Sequence, residues 1–214
     1  MSVVVAARTH HHGIVMACDS QVTDGYIKET TTQKIWTDGV VLYGACGDLR
    51  TIQVIRNFTP KASEDGRDLE ESVLVNTLVQ VLREAADRHG TLIRNDEGVD
   101  GFDAHLLVAY GNRVAMIDNT FAVMLPESGR AAIGTGREVA LGYLHARGRG
   151  PWYVGDVTFA VEAAAELSVN VTPPVYAATT AELIVRPTRP FESQAFTTGE
   201  TGLRSSMWSA SGPS

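Results

Sequence analysis

Directly behind Met1 stands Ser2, and a hydroxyl at that position has a specific chemical use. A serine oxygen attacks a carbonyl only when a base takes its proton. If Met1 is removed, Ser2 carries its own base, because an α-amino group titrates at about pH 7.7–8.0 and is partly neutral at working pH. Methionine aminopeptidases remove Met ahead of small residues such as Ser. If Met1 stays, the nitrogen is locked in an amide and this chemistry fails. Other groups offer less. His10, His11 and His12 are consecutive on one turn and cannot all converge on an ion, and no cluster with zinc spacing supports them. Gly134-Thr135-Gly136-Arg137-Glu138 opens a helix, but it lacks both glycine-rich phosphate fingerprints. Cys46 has no histidine base marked beside it. No metal or cofactor is expected.

Composition narrows the class. The chain has 214 residues with 44% hydrophobic content and a formal charge of -7, as expected of one well-cored globular domain. The acidic balance offers no basic stripe for nucleic acid or an acidic membrane. Val3 to Ala7 is too short for a signal peptide and lacks a basic flank. No stretch approaches the roughly 18–20 apolar residues that span a bilayer. Cys18 and Cys46 read as buried thiols in a reducing compartment. A cytoplasmic location is the expectation.

The elements that must position Ser2 are legible from periodicity. Val3-Val4-Val5-Ala6-Ala7 and Ile14-Val15-Met16-Ala17-Cys18 are near-continuous apolar runs, expected of strands buried on both faces, with a hairpin tip over 8–13. A strand pair is expected from Tyr26 to Trp36 and from Val40 to Ala45, turning at Asp38-Gly39. Leu49, Ile52 and Ile55 predict a helix after Asp48. Asp68 with Glu71, then Leu74, Leu78, Val81, Leu82 and Ala85, predict a second, ending at His89-Gly90. Arg94 to Gly101 reads as a loop. Strands are expected at 104–110, 114–117, 121–125 and 131–133, helices at 136–146 and 156–167, and closing strands at 176–178 and 183–185. The order predicts an α+β fold, two central sheets with helix pairs on the outer faces. Residues 1–186 form a single domain in this reading, and 187–214 an extended or disordered tail.

The run SVVVAARTHHHGIVMACDSQVTDGYIKETTTQKIW resembles the amino-terminal half of proteasome β-type subunits, more closely those of the HslV type. The matching pieces are Ser2, Asp19 in DSQV, and Lys34 in QKI, roughly fifteen residues on. AIGTGREVALGYL resembles the G-S-G turn that opens a helix in that family. The resemblance covers 2–186 and implies a four-layer αββα sandwich, the N-terminal nucleophile hydrolase fold. It implies Ser2 as nucleophile and Lys34 as the ammonium that keeps the amine neutral. Asp19 would hold the lysine charged and oriented, Gly44 would act as a backbone donor to the oxyanion, and Thr135 as a partner of the amino group. Each has a plainer reading. Those plainer readings are a strand end for Asp19, a surface strand for Lys34 and a bend for Gly44 and Gly47. Thr135 with Glu138 also makes a capping box, and that structural role ranks above the catalytic one.

The chain departs from the family in carrying Ser where active members carry Thr, losing the methyl that restricts the rotamer. Glu166 to Asn170 offers Ser168 but no Asp in register, and the spacing from Lys34 to Gly44 is short. The resemblance implies a self-compartmentalising peptidase acting on unfolded protein or peptides, self-associated into stacked rings, with a separate AAA+ ATPase as unfoldase. The alternatives are a catalytically inactive ring-forming protein and a small-molecule amidohydrolase of the same superfamily.

Overall fold

Val3, Val5 and Ala7 turn to one side of strand β1 (Val3–Arg8) and Val4 and Ala6 to the other, and every one of them is buried. A strand alternates its side chains by face, so a run apolar throughout needs a covering layer on each side. The computed structural model describes residues 2–24, 27–30, 34–58, 70–94, 98–183 and 186–187, and both layers are among them.

β1 lies inside a five-stranded antiparallel sheet. Its partners are β2 (Ile14–Cys18) and β12 (Arg130–Gly134), and β13 (Tyr176–Thr179) and β14 (Arg186–Pro187) extend the sheet beyond β2. Val3, Val5, Ala7, Val15 and Ala17 face two helices, α4 (Arg137–Ala146) and α5 (Val154–Leu167). Val157, Ala160, Val161 and Ala164 give α5 its buried stripe, each valine contributing about 1.5–3 kcal/mol.

Val4, Ala6, Ile14, Met16 and Cys18 face the second sheet. It comprises β5 (Ile35–Asp38), β6 (Val41–Gly47), β9 (Ala104–Tyr110), β10 (Arg113–Ile117) and β11 (Val123–Met124). Ile35, Leu42, Cys46, Leu107 and Ala109 complete this middle layer. The far face of the second sheet, with Tyr43, Ala45, Leu106 and Val108, packs on α1 (Leu49–Phe58), a π-helical segment Leu74–Val79 that continues the short α2 (Glu71–Val73), and α3 (Gln80–Arg88). The stack is helix, sheet, sheet, helix, as the sequence led us to expect.

Several boundaries differ. The strand expected over 26–36 is two, β4 (Ile27–Thr30), which pairs with β3 (Gln21–Asp24), and β5; residues 31–33 lie outside the described set. The expected loop at 94–101 contains a hairpin, β7 (Leu92–Arg94) with β8 (Asp100–Phe102), because Asp100 binds both Arg83 and Arg94. Of the strand at 121–125 only Val123–Met124 pairs. Leu183 is not in a strand, and Ile184, Val185, Asp68 and residues 188–214 lie outside the described set.

Candidate active site

Asp19 follows the last residue of β2 and is fully inside the protein. Its Oδ1 accepts the Val3 amide at 2.9 Å and Lys34 Nζ at 2.6 Å, while Oδ2 accepts the Gln21 amide at 3.0 Å. Lys34 sits just before β5 and is buried as well. A buried charge is tolerated when paired and hydrogen-bonded, and here each charge answers the other. Ser2 is one residue from the amide that Asp19 holds.

Across the sheet edge, the turn between β12 and α4 brings Thr135 to Ser2. The Ser2 N–H donates to Thr135 Oγ1 at 3.3 Å, and Thr135 Oγ1 lies 3.4 Å from the Ser2 carbonyl oxygen it faces. The capping box read from Thr135 and Glu138 is not formed. Gly136 is the N-cap of α4, without a side-chain cap, so the threonine hydroxyl is turned to Ser2. Gly134, at φ 88°, passes so close to the Ser2 carbonyl that a Cβ there would collide with it.

Ser2 opens on a cleft of about 640 Å³, lined also by Cys46, Gly47, Asp103, His105, Thr135 and Arg137. Gly44 is not in this lining. It lies between the sheets, where an added Cβ would stand 2.5 Å from Met16 Sδ and 2.8 Å from Val4 Cγ1. The Ala45 N–H is turned to the Lys34 carbonyl at 2.9 Å. Strand alternation therefore turns the Gly44 N–H the other way, into the ladder with Leu107 on β9. The expectation of a free donor at Gly44 does not fit that position.

Gly47, three residues on, ends β6 with φ 149°, a conformation open to glycine, and an added Cβ would strike the Asp103 carbonyl. By the same alternation its N–H points to the β5 side, beyond Lys34.

The sequence matches no protein-family model, and no curated protein matches it. Solved structures do. BPH of Thiobacillus denitrificans, in complex with epoxomicin, superposes with a TM-score of 0.70 at 19% identity, covering 88% of this chain and 100% of that one. Trypanosoma brucei HslV gives 0.58 at 20% identity over 82% of this chain and 97% of its own. Anbu of Yersinia bercovieri, described as an ancestral beta-subunit, gives 0.61 at 16% identity over 86% and 82%. The fold is that of HslV and the ancestral β-subunit.

Cys46 completes the inner wall. Burial pushes its thiol up to about 12, against the opposing pull of Lys34 and of a hydrogen bond with the Ser2 side chain. Burial likewise pushes Cys18 up to about 12. Both are free thiols. The histidines 10–12 lie on the turn at the other end of β1, and no group of metal-ligating side chains occurs among the described residues. No described helix is long and apolar enough to cross a membrane.

The sequence reading took Gly47 only as part of a bend and passed over His105. The signal for Gly47 was a glycine directly before the helix-capping Asp48, whose Oδ2 accepts the Thr51 amide at 2.8 Å. For His105 it was a lone polar residue within the apolar run AHLLVAY.

Proposed function

We propose that the chain is a proteasome-like, HslV-like self-compartmentalising peptidase whose nucleophile is Ser2 after removal of Met1. The observation that carries the reading is the buried Lys34–Asp19 pair, whose carboxylate also holds the backbone next to Ser2 at the mouth of a cleft. Such a pair costs desolvation energy, and its place beside a candidate amine gives it a task. In this reading Ser2 Oγ attacks the substrate carbonyl carbon and its proton passes to the freed α-amine. The Lys34 ammonium disfavours a second positive charge and so keeps that amine neutral. Thr135 Oγ1, already 3.3 Å from the Ser2 nitrogen, orients it. The Gly47 N–H takes the role of oxyanion donor in place of Gly44. Water then hydrolyses the ester on Ser2.

Substrates on this reading are unfolded proteins or peptides, met inside stacked rings of this chain in the cytoplasm, with a separate AAA+ ATPase delivering them. The fold shared with BPH, which was solved with epoxomicin, makes that compound the first probe. Protein isolated from its own host is incubated with epoxomicin, then weighed intact and mapped. The expected result is a mature chain starting at Ser2 with one adduct on that residue, absent in Ser2→Ala. Met1 fully retained, with no adduct, overturns the reading and leaves a non-catalytic ring-forming protein. Turnover confined to one small amide points instead to an amidohydrolase.

A further inference from the structure

His105 lines the cleft, and the chemistry above leaves it unused. In the second sheet Cys46 on β6 pairs with His105 on β9. β10 pairs Ile117 with Leu106, so the register continued by one residue sets Asp118 opposite His105 on its other side. Cys46 and Leu107 belong to the layer between the sheets, and alternation puts His105 on that same face, half-buried at its open end. His105 and Ser2 therefore enter one cleft from opposite sheets.

Asp118 is held as an anion. Its Oδ1 accepts the Thr120 amide at 2.8 Å, the Thr120 hydroxyl at 2.7 Å and the Ala122 amide at 3.0 Å. Burial opposes its ionisation, but those bonds and the field of His105 outweigh it and keep the carboxyl below its ordinary range. The other charged groups around the cleft are Asp48, Asp103, Arg137 and Glu138. Of the side-chain types present, imidazole is the one that both gives and takes a proton near neutral pH. The Cys46 thiol, pushed up to about 12, is excluded from that task.

We propose that His105, positioned by Asp118, protonates the leaving amine and then activates the deacylating water. The proposal rests on the peptidase reading above. When the tetrahedral adduct on Ser2 Oγ collapses, the C–N bond breaks, its electron pair goes to nitrogen, and a ring N–H of His105 supplies the proton. The neutral imidazole next takes a proton from water as the water oxygen bonds to the acyl carbon. The ester C–O bond then breaks, and Ser2 Oγ recovers its own proton from the α-ammonium. A serine whose amine serves attack alone thus gains a second group for departure.

The test compares wild type, His105→Gln, His105→Asn and Asp118→Asn for hydrolysis of a peptide amide and acylation by a peptide p-nitrophenyl ester, across pH, with thermal melting as the check on folding. Amide kcat should fall about 10²–10⁴-fold in both His105 variants, the usual contribution of general acid–base catalysis. Ester acylation should stay within a few-fold, because that leaving group needs no proton. Asp118→Asn should move the alkaline limb of the amide kcat profile to lower pH, because the imidazolium loses the carboxylate that favours it, with KM unchanged. An amide kcat and pH profile equal to wild type in folded His105→Gln overturns the proposal and leaves the peptidase reading intact. Wild-type protein without turnover or labelling at Ser2 overturns both.

Discussion

Lys34 Nζ meets Asp19 Oδ1 at 2.6 Å, with both side chains buried. The carboxylate also carries the Val3 and Gln21 amides, so this one group ties the entry of β1, the exit of β2 and the approach to β5. Charge, backbone and tertiary contact coincide there.

Breaking that pair from one side should be costly. Lys34→Met or Asp19→Leu leaves the other charge buried and alone, a loss of about 3–5 kcal/mol. The double variant should lose less than the two singles summed. Urea unfolding of the four proteins measures the coupling, and additive losses would show the pair is not coupled.

The two glycines of β6 should fail differently. Gly44→Ala forces a methyl between Met16 and Val4 and should cost about 1–3 kcal/mol by overpacking, seen as a lower Tm. Gly47→Ala works against φ 149° and the Asp103 carbonyl. It should abolish turnover and epoxomicin labelling out of proportion to a stability loss of about 1–3 kcal/mol.

Thr135→Val removes the hydroxyl from Ser2 but no helix cap, since Gly136 holds that place. Stability should change by about 0.5 kcal/mol or less, while kcat falls about fivefold, the worth of a single hydrogen bond of ~1 kcal/mol. Thr135→Ser should restore it. Melting curves and steady-state kinetics together separate the two effects.

Alkaline pH should loosen the middle layer. Burial raises the Cys18 and Cys46 thiols from 9.0 to about 12. Between those values the unfolded chain ionises and the folded one does not. The thiols' contribution is intact below about pH 9 and is lost as pH climbs through the folded value, by roughly 1.4 kcal/mol per thiol per unit. Urea midpoints from pH 8 to 10.5 should fall more steeply in wild type than in a Cys18→Ala, Cys46→Ala double variant.

The layered fold was readable because Val3–Ala7 of β1 and all of β2 are apolar, which only covering layers on both sides explain. Asp19 in DSQV and Lys34 in QKI were singled out by resemblance alone; that they pair inside the protein follows from the fold, which brings the end of β2 to the start of β5. Gly44 was misjudged because the amide direction depends on ladder parity, which spacing alone does not give. Thr135 satisfied a local capping pattern, but Ser2, 133 positions away in the chain, claimed its hydroxyl. His105 was passed over because its meaning depends on Cys46 and Asp118 across two strands.

β1 is paired along both edges and covered on both faces, with Ser2 at one end and the Thr9–Gly13 turn at the other. Six strand residues set the two ends about 20 Å apart. That layout is a guide for handling the protein. A purification tag fused ahead of Ser2 would crowd the cleft, whereas a dye or affinity handle on the exposed His10–His11 turn would leave the cleft free.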